Sequence, residues 1–302
     1  MRTVPPPPTR PARHGVLAVL AWTLLPVAAF AGLIEVAAEP LTKLAGHLPL
    51  AEPLTVLLAP FAAELLLGIV ILRLITATIG LGQAGVARSW PSPKVRHGSP
   101  WWIRVPLIAI VAWVGLAVVV YVAGPSPATL HPKLAHIPMA ALLGLLAATT
   151  AVTVFTEELL FRGYVLGRLT AAWGTSKRGA YLAAATSSLA FGVGHLGHNG
   201  PTWQLLLTVG GATVLGWLWA GMRLSSGSIW PAWCFHAGWN FGGMLQTLAA
   251  PKPPSGAPPD LTAAGVVVVA ALALLVIAYG ALLVQVFLDG REHDREQLAV
   301  AS

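Results

Sequence analysis

Residues Leu261–Leu288 read LTAAGVVVVAALALLVIAYGALLVQVFL. No charged side chain interrupts this run, and it exceeds the roughly 20 apolar residues that cross the hydrocarbon of a bilayer as a helix. It points to an all-α fold, a polytopic membrane bundle. The rest of the chain agrees. Of 302 residues, 56% are hydrophobic and only 10% charged, whereas an ordinary soluble domain carries about 25% charged residues. So few charges cannot build a water-facing surface, and a chain with this much to bury does not stay disordered. One cysteine, Cys234, leaves neither an intrachain disulfide nor a thiolate zinc cluster to consider.

Seven further stretches qualify as spans: Gly15–Ala38, Leu54–Gly80, Trp101–Ala123, Ile137–Phe161, Gly179–His195, Trp203–Met222 and Ser228–Ala249. The expectation is therefore about eight transmembrane helices. Trp101, Trp102, Trp203 and Trp230 lie near span ends, as interfacial aromatics do. The first span also resembles a cleavable signal peptide around Ala29-Phe30-Ala31, but its apolar run continues to Ala38, which favours an anchor.

Charge placement orients the bundle. Arg2, Arg10, Arg13, Arg88, Lys94, Arg96, Arg104, Arg168, Lys177, Arg178, Arg223, Arg291 and Arg295 fall on one side of the spans. Lys43, Lys133 and Lys252 fall on the other, and Arg73 and Arg162 lie within or at the edge of spans. A bias of 13 to 3 puts both termini in the cytoplasm by the positive-inside rule. The net charge of +7 thus reads as topology and as attraction to anionic membrane lipids. It does not form the clustered basic face that nucleic acid would need, so no nucleic-acid partner is expected. The expected location is the cell membrane.

Ionisable residues inside spans are costly and are functional-site candidates. They concentrate in three of the spans. The fourth carries Glu157, Glu158 and Arg162, the fifth Phe191 and His195, and the seventh His236 and Asn240. Glu158 and Arg162 are four apart, so they share a helix face and can pair; His236 and Asn240 project together in the same way. Glu157 is rotated about 100° from Glu158 and can point elsewhere. Phe191 lies one turn before His195 on the same face and can wall the site. Gly163 with Gly167, and Gly238 with Gly242, have the spacing that lets helices approach closely.

This set is sufficient to hydrolyse an amide. A carboxylate in a low-dielectric pocket is suited to take a proton from water, and a neighbouring imidazole can orient that water. A second imidazole with an amide can stabilise an oxyanion. No G-x-S-x-G elbow is present, and Cys234 has no nucleophile signature around it.

The three patterns E-E-x-x-x-R, F-x-x-x-H and H-x-x-x-N, in that order on separate apolar spans, resemble the CPBP family of intramembrane proteases. These are relatives of the CAAX prenyl endopeptidases and are also called the Abi family. The resemblance covers roughly residues 137–248. It implies that Glu157 activates water with help from His195, that His236 and Asn240 stabilise the oxyanion, and that Glu158 and Arg162 support the site as an ion pair. It implies an eight-helix bundle and a hydrophobic or lipidated peptide or protein substrate. The expected division is 1–136, three helices after a Pro-rich tail; 137–248, the catalytic core; and 249–302, a Pro-rich loop, last helix and tail.

Two points strain this reading. The span limits put Glu157 near the inner end of its helix and His195 near the outer end of the next. The helical pattern can, however, run from Ile137 to Thr170, about 50 Å, against a bilayer core of about 30 Å. Span four can then slide outward, and span five can begin near Lys177. The second point is metal. Two His and one Glu is also the ligand set of a zinc peptidase. No H-E-x-x-H is present, and His198, beside Asn199-Gly200-Pro201, reads as a loop residue. Asn is an uncommon zinc ligand and a good amide donor, which favours a mechanism with no required cofactor and leaves zinc as the alternative. A proton-coupled transporter lined by the same polar residues is the rival from another class, although the matching broken helices that would support it are not visible.

Overall fold

The structure, a computed structural model, describes residues 18–21, 23–25, 28, 52–86, 138–174, 176–197, 202–249 and 263–301. These are all-helical, with no strand among them. Helix α1 spans Glu52–Thr78 and turns at once into the short α2, Gly80–Ala84. Helix α3, Met139–Glu158, continues through a wider π-helical stretch, Leu159–Val165, into α4, Leu166–Trp173. Helix α5, Lys177–Val193, ends in a 3-10 turn over Gly194–Gly197. Then follow α6, Thr202–Ser226; α7, Trp230–Ala249; and α8, Ala263–Ala301.

Three stretches are long and apolar enough to cross a bilayer by length and composition: Leu143–Trp173, Thr202–Ser226 and Val269–Ala299. The chain is accordingly an integral membrane protein. Helices α1, α5 and α7 lie where spans two, five and seven were expected. Helix α5 has only 17 residues, rich in Ala, Ser and Gly, and α1 carries Glu52, Glu64 and Arg73. The expected span Trp101–Ala123 lies outside the described residues, and Gly15–Ala38 does so for the most part. Eight spans therefore remain an expectation from the sequence.

The depth problem resolves through the α4–α5 hairpin. Span four does run on, to Trp173, so Glu157 is the fifteenth of the 31 residues from Leu143. Helix α5 begins at Lys177, capped by the Ser176 hydroxyl, which accepts the Gly179 N–H at 3.0 Å. Glu158 precedes Trp173 by roughly 22 Å of helix, and Phe191 follows Lys177 by roughly 21 Å, at about 1.5 Å per residue. The two antiparallel limbs thus bring the fourth- and fifth-span residues to one level.

Lipid tails are as apolar as leucine, so packing between membrane helices relies on small residues and polar side chains. Both are in use here. A Cβ on Gly163 would lie 3.2 Å from Ile75 Cδ1, and one on Gly167 3.0 Å from Ile79 Cδ1. The expected close approach is made, and its partner is the α1–α2 hairpin. Between helices, side chains donate to backbone carbonyls. Trp233 Nε1 reaches Ala151 O at 2.9 Å, Trp217 Nε1 reaches Ile277 O at 2.9 Å, and Tyr181 Oη reaches Ala281 O at 3.2 Å. Arg223 Nη2 donates to Gln83 O at 2.6 Å, holding the end of α2 against α6. Most of the buried residues form one core around α3 to α6, with the π-helical stretch at its centre.

Candidate active site

The π-helical stretch begins immediately after Glu158 and contains Arg162. Such widened turns in α-helices recur at functional sites. All seven of its residues are buried. The widening leaves Phe161 O bonded to the Leu166 N–H and open to a second donor, the Ser187 hydroxyl of α5, at 2.9 Å. The i,i+4 pair survives it. Arg162 Nη1 lies 3.3 Å from Glu158 Oε1, with both side chains no more than 1% exposed. Arg162 Nη2 also donates to Gly216 O of α6 at 3.3 Å. A Cβ on Gly216 would stand 3.2 Å from the Phe191 ring and 3.3 Å from that Nη2, so a side chain here would press on both.

Glu158 does more than pair with Arg162. Its Oε1 accepts a hydrogen bond from His236 Nδ1 of α7 at 3.0 Å. A carboxylate oxygen can only accept, so Nδ1 carries a proton, and with the Asn240 amide donating at Nε2 that nitrogen presents a lone pair. That lone pair faces Asn240, whose Nδ2 lies 3.3 Å away, and Glu157, whose Oε2 lies 3.5 Å away. The predicted His236–Asn240 pairing along one helix face is thus present. Glu157 points to the opposite edge of the same imidazole from Glu158, as its rotation around α3 requires. Glu157 is 20% exposed while Glu158 and His236 are sealed, so Glu157 is the carboxylate of the pair with an opening to the outside of the core.

His195 occupies the 3-10 turn that ends α5, where its Nδ1 lies 2.8 Å from Phe191 O. A carbonyl only accepts, so this imidazole too carries a proton on Nδ1. Phe191, expected to wall the site, is its hub. Its ring lies 4.7 Å from that of His195 and 5.6 Å from that of His236, which keeps the two imidazoles within about 10 Å of each other. The Arg162 guanidinium sits 4.3 Å above the same ring.

Glu157, Glu158, Arg162, Phe191, His195, His236 and Asn240 therefore gather in one place, from α3 and its π-helical extension, α5 and α7. His198 lies outside the described residues. The structure adds Trp219 of α6, stacked on His236 with ring centroids 3.8 Å apart and planes at 19°. No sequence signal marked it, because a tryptophan in an apolar span without a polar motif reads as packing.

Residues 133–242, just over a third of the chain, match the family model described as type II CAAX prenyl endopeptidase Rce1-like. No curated protein and no solved structure matches the chain.

Proposed function

We propose, from the premise that residues 133–242 belong to the CPBP/CAAX protease family, that this membrane protein is an endopeptidase in which Glu157 activates the attacking water. The observation that carries this reading is the partition of the two carboxylates across one imidazole. Glu158, sealed, holds His236 Nδ1; Glu157, partly open, faces Nε2 at 3.5 Å. Glu157 is the carboxylate that can meet water and substrate. It takes a proton from the water as the oxygen attacks the scissile carbonyl, and delivers it to the leaving nitrogen. His195, held through its Nδ1–H by Phe191 O, accepts from the same water through Nε2 and orients it.

The oxyanion falls to Asn240. Its amide carries two N–H groups. One bonds His236 Nε2, and the other can donate to a developing oxyanion. His236 in this tautomer has no proton to offer on that side, so it orients the amide and stands ready to share the proton held by Glu157. Glu158 and Arg162 fix that imidazole from behind. The substrate is a hydrophobic or lipidated peptide or protein that reaches the site from the membrane, and both termini face the cytoplasm.

A zinc-dependent version of the same reaction is the second reading. Both imidazoles direct Nδ1–H to an acceptor, as metal-ligating histidines do. The donor set as arranged does not fit the ion. Among the described residues no three His, Cys, Asp or Glu side chains come together as ligands, and Asn240 Nδ2 stands at His236 Nε2.

The test is cleavage of a fluorogenic membrane peptide by the purified full chain, with and without a chelator. Glu157→Ala is expected to lower kcat by about 10²–10⁴-fold and Asn240→Ala by about 10²–10³-fold. Cleavage by the unaltered chain should survive the chelator. Chelator-sensitive cleavage would replace this mechanism with the zinc one. No cleavage across a broad peptide panel, with Glu157-dependent proton flux in liposomes, would make the protein a transporter.

A further inference from the structure

We infer that Trp219 is a positioning residue for this site: its indole face fixes the plane of the His236 imidazole, so that Nδ1 meets Glu158 while Nε2 meets Asn240 and Glu157. The inference deepens the peptidase reading and rests on it for its kinetic consequence. Its structural consequence stands alone.

Trp219 lies on α6, outside all three polar motifs, and is 1% exposed. Three observations separate it from ordinary core. First, its contact with His236 is face to face, at 3.8 Å and 19°, whereas its contact with Phe191 is edge-on, at 5.5 Å and 79°. Second, a buried indole N–H ordinarily finds an acceptor, yet among the described residues Trp219 Nε1 has none. What the position uses is the flat face, and the N–H is a cost. Third, the Arg162 guanidinium carbon lies 5.1 Å from the centre of the indole ring, so the π-system is set against a cation of the site, which it attracts.

The imidazole needs such a surface. Rotation about the bond to its ring is broad and roughly two-fold. Tilting the ring out of its plane would draw Nδ1 from Glu158 and Nε2 from Asn240 together. Trp219 closes one face of the ring, and the edge-on contact with Phe191, at 5.6 Å and 86°, blocks a second direction. Every element packed on His236 then has a defined part. Glu157, Glu158 and Arg162 come from α3 and its extension, Phe191 from α5, His195 from the 3-10 turn that ends it, Trp219 from α6 and Asn240 from α7.

The experiment compares Trp219→Phe and Trp219→Leu with the unaltered full chain in lipid nanodiscs. Nitrogen-15 NMR of labelled histidines reads the ring directly, with the His236 signals identified by their loss in His236→Gln. The unaltered chain and Trp219→Phe should show a single tautomer protonated at Nδ1. Trp219→Leu should show exchange-averaged nitrogens. On the peptide, Trp219→Leu should lower kcat on the order of 10–100-fold, as misplaced catalytic groups do, with KM nearly unchanged and Trp219→Phe largely restored. Should the leucine variant unfold, Trp219→Met, which fills the volume without a flat face, takes its place. A fixed tautomer in Trp219→Leu overturns the inference. So does a phenylalanine variant as averaged as the leucine one, because bulk would then be what matters. Absence of cleavage by the unaltered chain sinks the peptidase reading alone, and the NMR comparison still decides the role of Trp219.

Discussion

Leu143–Trp173 and Val269–Ala299 each run for 31 residues, yet across an apolar stretch of 18 residues within each, 44% of the first is buried and 17% of the second. The second is the more apolar of the two. In water the order would be reversed, because apolar surface is what burial removes from solvent. In lipid, apolar side chains gain little by leaving the tails, and the helix drawn inward is the one whose polar groups have nowhere else to find partners. Leu272, Leu274 and Leu275 of α8 are each more than half exposed, while Glu158 and Arg162 are sealed. Burial in this bundle therefore follows polar need, and the run that identifies the chain as a membrane protein is among its least buried parts.

The contrast breaks most visibly at Arg162. Removing it by Arg162→Ala leaves Glu158 sealed beside a neutral partner, and the loss of one member of a buried pair costs about 3–5 kcal/mol. Leu275→Ala, at a side chain 66% exposed, should stay within about 0.5 kcal/mol. Unfolding titrations in mixed micelles measure both. Equal losses at the two positions would mean that apolar packing, not polar need, sorts these helices.

A smaller effect tests the same idea within α6. A Cβ added at Gly216 meets Phe191 at 3.2 Å and both Arg162 Nη2 and the Ser188 Cα at 3.3 Å. Gly216→Ala should then destabilise by about 1–3 kcal/mol, as overpacking does, and should weaken the Arg162–Gly216 hydrogen bond. Gly211 has nothing described within 4 Å of such a Cβ, and Gly211→Ala should stabilise the helix by up to about 1 kcal/mol. The pair of titrations separates the helix's own preference from the demands of the site.

Legibility in the sequence follows the range of the interaction. Pairings along one helix were readable, because four residues make nearly one turn: Glu158 with Arg162, His236 with Asn240, and Phe191 with His195. The extension of span four toward Thr170 was readable from its length against the bilayer, and it ends at Trp173. The contacts between helices were not readable. Glu158 was expected to pair with Arg162, and nothing in a one-dimensional pattern says that its oxygen also accepts from His236, 78 residues away. The π-helical stretch was also hidden, since one extra residue per turn leaves the apolar pattern of Leu159–Val165 intact. Gly163 and Gly167 announced a close approach but not that α1 and α2 make it. Trp219 had no signal at all, because its partner lies on another helix and its own neighbours are apolar.

The smallest effect belongs to the seam that holds α8. Trp217 Nε1 donates to Ile277 O at 2.9 Å. That carbonyl belongs to a helix whose own backbone bonds already satisfy it, so the indole adds a second donor and does not rescue an orphan. Hydrogen bonds between membrane helices average about 0.6 kcal/mol, because the separated helices find other partners. Trp217→Phe keeps the ring and removes the donor, so it should cost about that much in the same micelle titration. Tyr181→Phe, whose bond to Ala281 O is longer at 3.2 Å, should cost no more. Losses near the Arg162→Ala value would mean that α8 is held by polar need as strongly as the helix carrying Glu158, and the division between the two would fail.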